Sequence, residues 1–168
     1  NAKVGPAIES CSGPAGTATF IYNNPATRKH TTLNLILPTG TPVPVTVSEP
    51  VRWILADTHL YSNKHLDVCT LSPLALAGST FVCFAPAGTP GLIQINGTPL
   101  EVTAPKTKAP AIHQLEGVTV LVLNEAQAST ILIENDTVIL NALGTDDQGN
   151  YIPAAPPTKV TRITASGN

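Results

Sequence analysis

Between residues 79 and 102 the chain reads STFVCFAPAGTPGLIQINGTPLEV, with two apolar runs, 81–85 and 92–95, set apart by Pro86-Ala87-Gly88-Thr89-Pro90-Gly91. Proline fixes φ and glycine supplies positive φ, so the separator predicts a turn or short loop. The second run meets Asn96-Gly97, the pair that suits a two-residue hairpin turn. Run, turn, run, turn and a short strand over 100–103 predict an antiparallel meander. FVCF at 81–84 is apolar without a break, which predicts a strand covered on both faces.

The same grammar extends in both directions. Residues 1–16 carry little periodicity and read as an entry arm or linker. TATFIY (17–22) is β-branched and aromatic and predicts a strand. A polar connection at 23–30 precedes TTLNLIL (31–37), where Leu33, Leu35 and Leu37 share one face. Pro38 to Pro42 turn the chain. VPVTV (43–47) alternates, and Pro44 places it at an edge. VRWILA (51–56) and 66–71 are predicted strands around a polar loop at 57–65. A loop with Lys106 and Lys108 follows at 103–110, then VTVLVL (118–123), almost purely apolar and therefore central. Asn124 to Ala128 is the one helical turn expected, with Asn124 as N-cap and Glu125 suiting the helix dipole. Strands at 130–134 and 137–140 flank the hairpin signal Asn135-Asp136. Final strands are expected at 151–152 and 160–163, around a stiff Pro153-Ala154-Ala155-Pro156-Pro157. Roughly ten short strands with little or no helix predict an all-β fold, an antiparallel β-sandwich of two packed sheets over 17–168, with a sub-boundary near 104–116.

Composition narrows the chemistry. The chain has 168 residues, of which only 12% are charged, with 16 prolines, 12 glycines and a net charge of -2. That balance leaves no electrostatic footprint for nucleic acid or an anionic membrane. No apolar run approaches the roughly 18 residues of a membrane span. Neither partner is expected. The start at Asn1-Ala2 and the polar end at 164–168 read as cuts in linkers of a longer polypeptide. Cys11, Cys69 and Cys83 are too few for a disulfide framework. Cys69 and Cys83 fall in apolar strands, where a free thiol behaves as a small hydrophobe, while one disulfide stays open as an alternative.

The densest group of chemically capable residues is ADTHLYSNKHLDVC (56–69), with Asp57, His59, His65, Asp67 and Cys69. Two His and two Asp would suit zinc if the loop folded back, and His59, His65 and Asp67 are the residues to check. Their spacing matches no standard metal motif, so a solvated loop is expected, with no metal and no cofactor. No Gly-x-Ser-x-Gly elbow or Gly-rich phosphate loop occurs, and the glutamates mostly flank turns. A sugar-binding sandwich needs exposed aromatics, and the chain has one Trp, three Tyr and three Phe. Phe81 and Phe84 are expected in the core, as is Trp53. Tyr61, in the polar loop, is the better exposed candidate for carbohydrate contact, with Trp53 as the alternative. Truncating Trp53, Phe81 or Phe84 is expected to cost about 3–5 kcal/mol each where buried.

GTATFIYNNPATRKHTTLNLILPTGTPVPV (16–45) resembles a passage in large bacterial β-galactosidases of glycoside hydrolase family 35. There a strand ending in Asn-Asn leads to a strand of the type F-x-L-x-L-P-x-G and then to a strand with Pro and Val. Phe20, Tyr22, Asn23, Asn24, Leu33, Leu35, Leu37, Pro38 and Gly40 carry the likeness. It continues through VRWILADTHLYSNKHLDVCTLSPLAL, STFVCFAPAGTPGLIQING and GVTVLVLNEAQA, so that it spans 16–128. The family's two catalytic glutamates belong to a (β/α)₈ barrel, for which this chain is too short at the usual ~250 residues. The resemblance therefore implies a non-catalytic accessory sandwich that follows such a barrel, in a secreted, periplasmic or cell-surface glycoside hydrolase. The catalytic barrel of the same polypeptide is the implied partner. Two other readings of the residues remain: a carbohydrate-binding module and a cell-surface adhesion module that pairs through edge strands.

Overall fold

The computed structural model describes residues 6–24, 26, 30–37, 39–155 and 159–164. Residues 1–5 of the expected entry arm, Pro25 and 27–29 of the expected connection, Pro38 of the expected turn, 156–158, and the tail at 165–168 lie outside them. In chain order the elements begin with β1 (Ala7–Gly13), β2 (Gly16–Tyr22), β3 (Thr31–Ile36), β4 (Pro42–Val47), β5 (Val51–Tyr61), β6 (Lys64–Cys69), β7 (Ser72–Ala77), β8 (Thr80–Ala85) and β9 (Pro90–Ile95). They continue with β10 (Thr98–Thr103), β11 (Ala111–Leu115), β12 (Val118–Asn124), α1 (Glu125–Ala128), β13 (Ile131–Glu134), β14 (Thr137–Leu140), β15 (Ala142–Thr145), β16 (Tyr151–Pro153) and β17 (Thr161–Thr164). The fold is all-β, as the scattered turn residues and short apolar runs predict.

Two sheets make the central sandwich. The larger has six strands in the order β1-β2-β5-β6-β9-β10, and the smaller has four in the order β11-β12-β8-β7. Between them lies the main core, with Leu66, Cys69, Ile93, Ile95 and Val102 from the larger sheet against Phe81, Cys83, Ala85, Val118, Val120 and Val122 from the smaller. Both sheets are also covered on their outer faces. The β3–β4 hairpin lays Val45 and Val47 over Ile21, Ile54 and Val68, and Leu33, Leu35 and Leu37 pack against that cluster. On the far side, Val138 and Leu140 of β14, in a three-stranded sheet ordered β13-β14-β17, pack with Val82, Leu121 and Leu123.

This layering explains the apolar runs at 81–85 and 118–123. In β8 and β12 alternate side chains point to opposite faces. Phe81, Cys83, Val118, Val120 and Val122 enter the main core, while Val82, Leu121 and Leu123 enter the outer one. Polar residues at either set of positions would be sealed from water. Each fully buried aliphatic here contributes about 1.5–3 kcal/mol.

Several local signals act as their chemistry requires. Asn96 and Gly97 take φ of 48° and 79° in the β9–β10 turn. Asn124 caps α1 by accepting from the Gln127 N–H at 2.9 Å, and Gln127 Oε1 accepts from the Asn124 N–H at 2.9 Å. Asn135, with φ of 52°, turns β13 into β14.

Other expectations are corrected. The strand at 80–85 does not join a meander with its successors. β8 pairs in parallel with β12 and antiparallel with β7, while β9 pairs with β6 and β10 in the other sheet. The Pro86–Thr89 turn thus carries the chain between sheets, a choice that short-range turn chemistry leaves open. The sandwich accordingly contains one parallel pair. The entry arm expected at 1–16 contains β1, whose residues pair with β2 from Ala7↔Tyr22 to Gly13↔Gly16. All of β1 is exposed, so it has no apolar face and no periodicity to read. The polar loop expected at 57–65 is the end of one long hairpin, in which β5 runs through Tyr61 and β6 begins at Lys64. β7, β11 and β15 lacked a strand expectation. β7 and β11 are edge strands of the smaller sheet, where alternation is only partly demanded, and β15 pairs with β16 alone.

Candidate functional site

The densest polar cluster lies at the tip of the β5–β6 hairpin. His59 and His65 are cross-strand partners, yet their rings diverge. The His59 ring Nε2 pairs with the Ser62 carbonyl at 2.7 Å. His65 Nε2 sits 2.9 Å from Asp57 Oδ1 and 3.9 Å from Asp67 Oδ1. Asp67 is engaged elsewhere too, because its Oδ2 accepts from the Gly97 N–H at 2.7 Å. Asn96 closes the tip: its Oδ1 accepts from the His65 N–H at 2.9 Å, and its Nδ2 donates to the Asn63 carbonyl at 3.1 Å. Of the sequence candidates the fold therefore unites His65 and Asp67 with Asp57 and turns His59 away. Among the described residues no set of three or more His, Cys, Asp or Glu could hold a metal ion. The cluster ties two hairpin turns together.

The two aromatic candidates have separate surroundings. Tyr61 is half-buried, packs against the main core and donates weakly to the Gly117 carbonyl at 3.4 Å. Burial pushes its hydroxyl above the usual tyrosine value, against a smaller lowering by a hydrogen bond with Ser79. Its ring bridges the sandwich rather than standing free on the surface. Trp53 is half-buried, not a core residue, and stacks on Phe20 with centroids 6.0 Å apart and planes 6° apart. Phe84 is also only half-buried, leaving Phe81 as the fully buried aromatic of the three.

The Phe20–Trp53 stack belongs to a larger apolar shelf that sequence reasoning missed. Phe20 pairs with Trp53 across strands, and Tyr22 with Val51, so all four side chains share one face of the larger sheet. Tyr22 and Val51 are 42% and 46% exposed. β7, the edge strand of the smaller sheet, lies against β5 and carries Leu74 and Leu76, each 40% exposed. The Trp53 N–H donates to Ser72 Oγ at 3.3 Å and joins the two strands at that point. The alternation of 20, 22, 51 and 53 was available in the sequence. Which face stays uncovered was not, because it depends on where the narrower sheet ends.

Beneath the shelf, Arg52 is fully buried. Its Nε donates to Glu49 Oε1, and its Nη1 donates to the Thr70 carbonyl at 2.9 Å. Thr70 lies where the chain leaves the larger sheet for the smaller one. Its hydroxyl accepts from the Leu92 N–H at 2.8 Å. The ion pair thus pins the crossing that sets one edge of the shelf.

Two recesses lie elsewhere on the surface. One, of about 700 Å³, lies between the β3–β4 hairpin and the β9, β10 and β11 edges, and Glu101 and His113 are its ionisable lining residues. The other, of about 470 Å³, is lined by Lys106, Lys108 and Lys159 with Asn124, Gln127 and Asn141, and no carboxylate lines it. Neither places two carboxylates across one cavity, the arrangement glycoside hydrolysis ordinarily uses. Among the described residues no helix is long and apolar enough to cross a membrane. A scan against protein-family models finds no match to the chain, and a search of curated proteins finds none.

Proposed function

We propose that the chain is a non-catalytic accessory β-sandwich domain of a larger, β-galactosidase-like glycoside hydrolase, and that it braces the catalytic barrel of the same polypeptide. The observation that carries this reading is the apolar shelf of Phe20, Tyr22, Val51 and Trp53, flanked by Leu74 and Leu76. A contiguous apolar face of this kind marks a contact surface. Two further observations support it. The leucines that carry the family resemblance, Leu33, Leu35 and Leu37, pack the outer hairpin onto the larger sheet. The recesses described above hold no facing acid pair. A secreted, periplasmic or cell-surface setting goes with this reading.

The test is the double substitution Tyr22→Asp and Val51→Lys, which places opposite charges across the strands, made both in this chain and in the full-length polypeptide. Both positions are exposed, so the isolated chain should keep its stability within about 0.5 kcal/mol per site. The full-length protein should lose thermal stability by several degrees and inactivate sooner. An unchanged full-length protein, or galactoside turnover by this chain alone, would sink the proposal. The stacked Phe20–Trp53 pair also favours a second reading, in which the shelf is a platform for a sugar ring. Glycan-array binding that Trp53→Ala abolishes would select that reading over the first.

A further inference from the structure

Cys69 and Cys83 enter one core cluster from opposite sheets. Cys69 is the last residue of β6 in the larger sheet. The chain then crosses through Thr70 and Leu71 and enters β7, whose Pro73 lies opposite Cys83 of β8. Cys83 alternates with Phe81 and Ala85 on the face of β8 that looks toward the larger sheet. Both thiols are fully buried in one apolar cluster, and neither is bonded to another cysteine. The Cys69 thiol donates to the Leu71 carbonyl at 3.2 Å, which directs its sulfur into this corner.

We infer that Cys69 and Cys83 are the two halves of an inter-sheet disulfide that closes when the chain folds under oxidising conditions. The bond would staple the two sheets where the chain passes between them. It would leave exposed Cys11 as the free thiol.

Hydrogen bonding to Cys69, and then burial, push the Cys83 thiol well above its usual range. A thiol held protonated is a poor nucleophile, so the finished reduced fold exchanges slowly. The bond therefore forms during folding, when the thiolates are still solvated. With a small-molecule disulfide such as oxidised glutathione, one cysteine thiolate first displaces a glutathione thiolate and gives a mixed disulfide. The second cysteine thiolate then attacks the protein sulfur of that bond and expels the other glutathione. Two protein thiols lose two protons and two electrons, and one oxidised glutathione becomes two reduced molecules.

The experiment uses Cys11→Ser, a change on an exposed strand, refolded from denaturant in a glutathione redox buffer. Thiols are then alkylated under denaturing conditions and the protein is weighed intact. The expected product is a monomer with no alkylated cysteine and a mass lower by two hydrogens. Its Tm should exceed that of the reduced form by roughly 6–12 °C, the stabilisation of a loop of about 15 residues in a domain of this size. Adding Cys69→Ala should abolish both the mass change and the redox dependence of Tm. Two alkylated cysteines after refolding, a persistent glutathione adduct, a disulfide-linked dimer, or an oxidised form less stable than the reduced one would each overturn the inference.

Discussion

Removing Glu49 tests the physical logic of the crossing beneath the shelf. Arg52 is 0% exposed and Glu49 is 8% exposed, so both halves of this ion pair are buried. The guanidinium spends Nε on Glu49 and Nη1 on Thr70, while Nη2 has no hydrogen-bond partner among the described residues. Glu49→Ala therefore leaves a sealed cation with one carbonyl for company. Such a loss costs about 3–5 kcal/mol, because an unpaired buried charge keeps its full desolvation penalty. For a domain of this size that corresponds to a fall in Tm of roughly 6–20 °C. Adding Arg52→Met removes the cation and fills the same channel with an unbranched apolar chain. The double variant should return to within about 1 kcal/mol of the parent, since well-packed apolar replacements of buried ion pairs are often neutral. Urea denaturation read by the single tryptophan, Trp53, gives each stability by linear extrapolation. A Glu49→Ala cost below about 1 kcal/mol, or a double variant no more stable than that single one, would refute the argument.

Further outcomes follow from burial and hydrogen bonding. Phe81→Ala should cost about 3–5 kcal/mol in urea denaturation, because Phe81 is only 3% exposed. Half-buried Trp53 and Phe84 should cost about 1–2 kcal/mol each when cut to alanine, and circular dichroism reads all three. Gly91→Ala would set its new Cβ 2.6 Å from Leu71 Cδ2 and Cγ, against a fully buried side chain, and should cost about 1–3 kcal/mol. Asp146 carries a pH-dependent turn. The Asn150 N–H at 2.8 Å, then the Asn150 side chain, and the Gln148 N–H at 2.9 Å hold its carboxyl below the usual range. The folded value is the lower one, so the stabilisation is present above the unfolded value of about 3.9 and is lost as pH falls through the folded value. Carboxyl NMR titration should place that midpoint below an ordinary aspartate, and Asn150→Ala should raise it.

Much of the local order is written in single residues. Asn96-Gly97, Asn135-Asp136 and the Asn124 cap form where their backbone preferences put them. The almost purely apolar run at 118–123 demanded cover on both faces, and the structure supplies it with two different neighbours. The candidate site was less legible. Trp53 looks like a core residue by its apolar neighbours, yet its strand outreaches the opposing sheet and leaves the ring half-covered. Histidines six residues apart look like ligands, yet the His59 ring pairs with the Ser62 carbonyl while the His65 ring pairs with Asp57. Arg52 offers no sign of burial in VRWILA, because its partner Glu49 lies across a proline in the preceding turn.

By itself the order of amino acids determined that this chain makes short strands, where most of them turn, and which runs lie beyond the reach of water. Those properties follow from each residue's own φ preference and from the period-2 alternation of a strand, which need no distant partner. Tertiary structure decided which runs pair, that β8 meets β12 in parallel while β9 crosses to the other sheet, and that Cys69 and Cys83 enter one core cluster. It also decided that Tyr22 and Val51 stay in solvent. Pairing and cover are properties of whole sheets meeting in space. Strands of equal hydrophobicity can satisfy the same rules in several arrangements, and only the packed assembly selects among them.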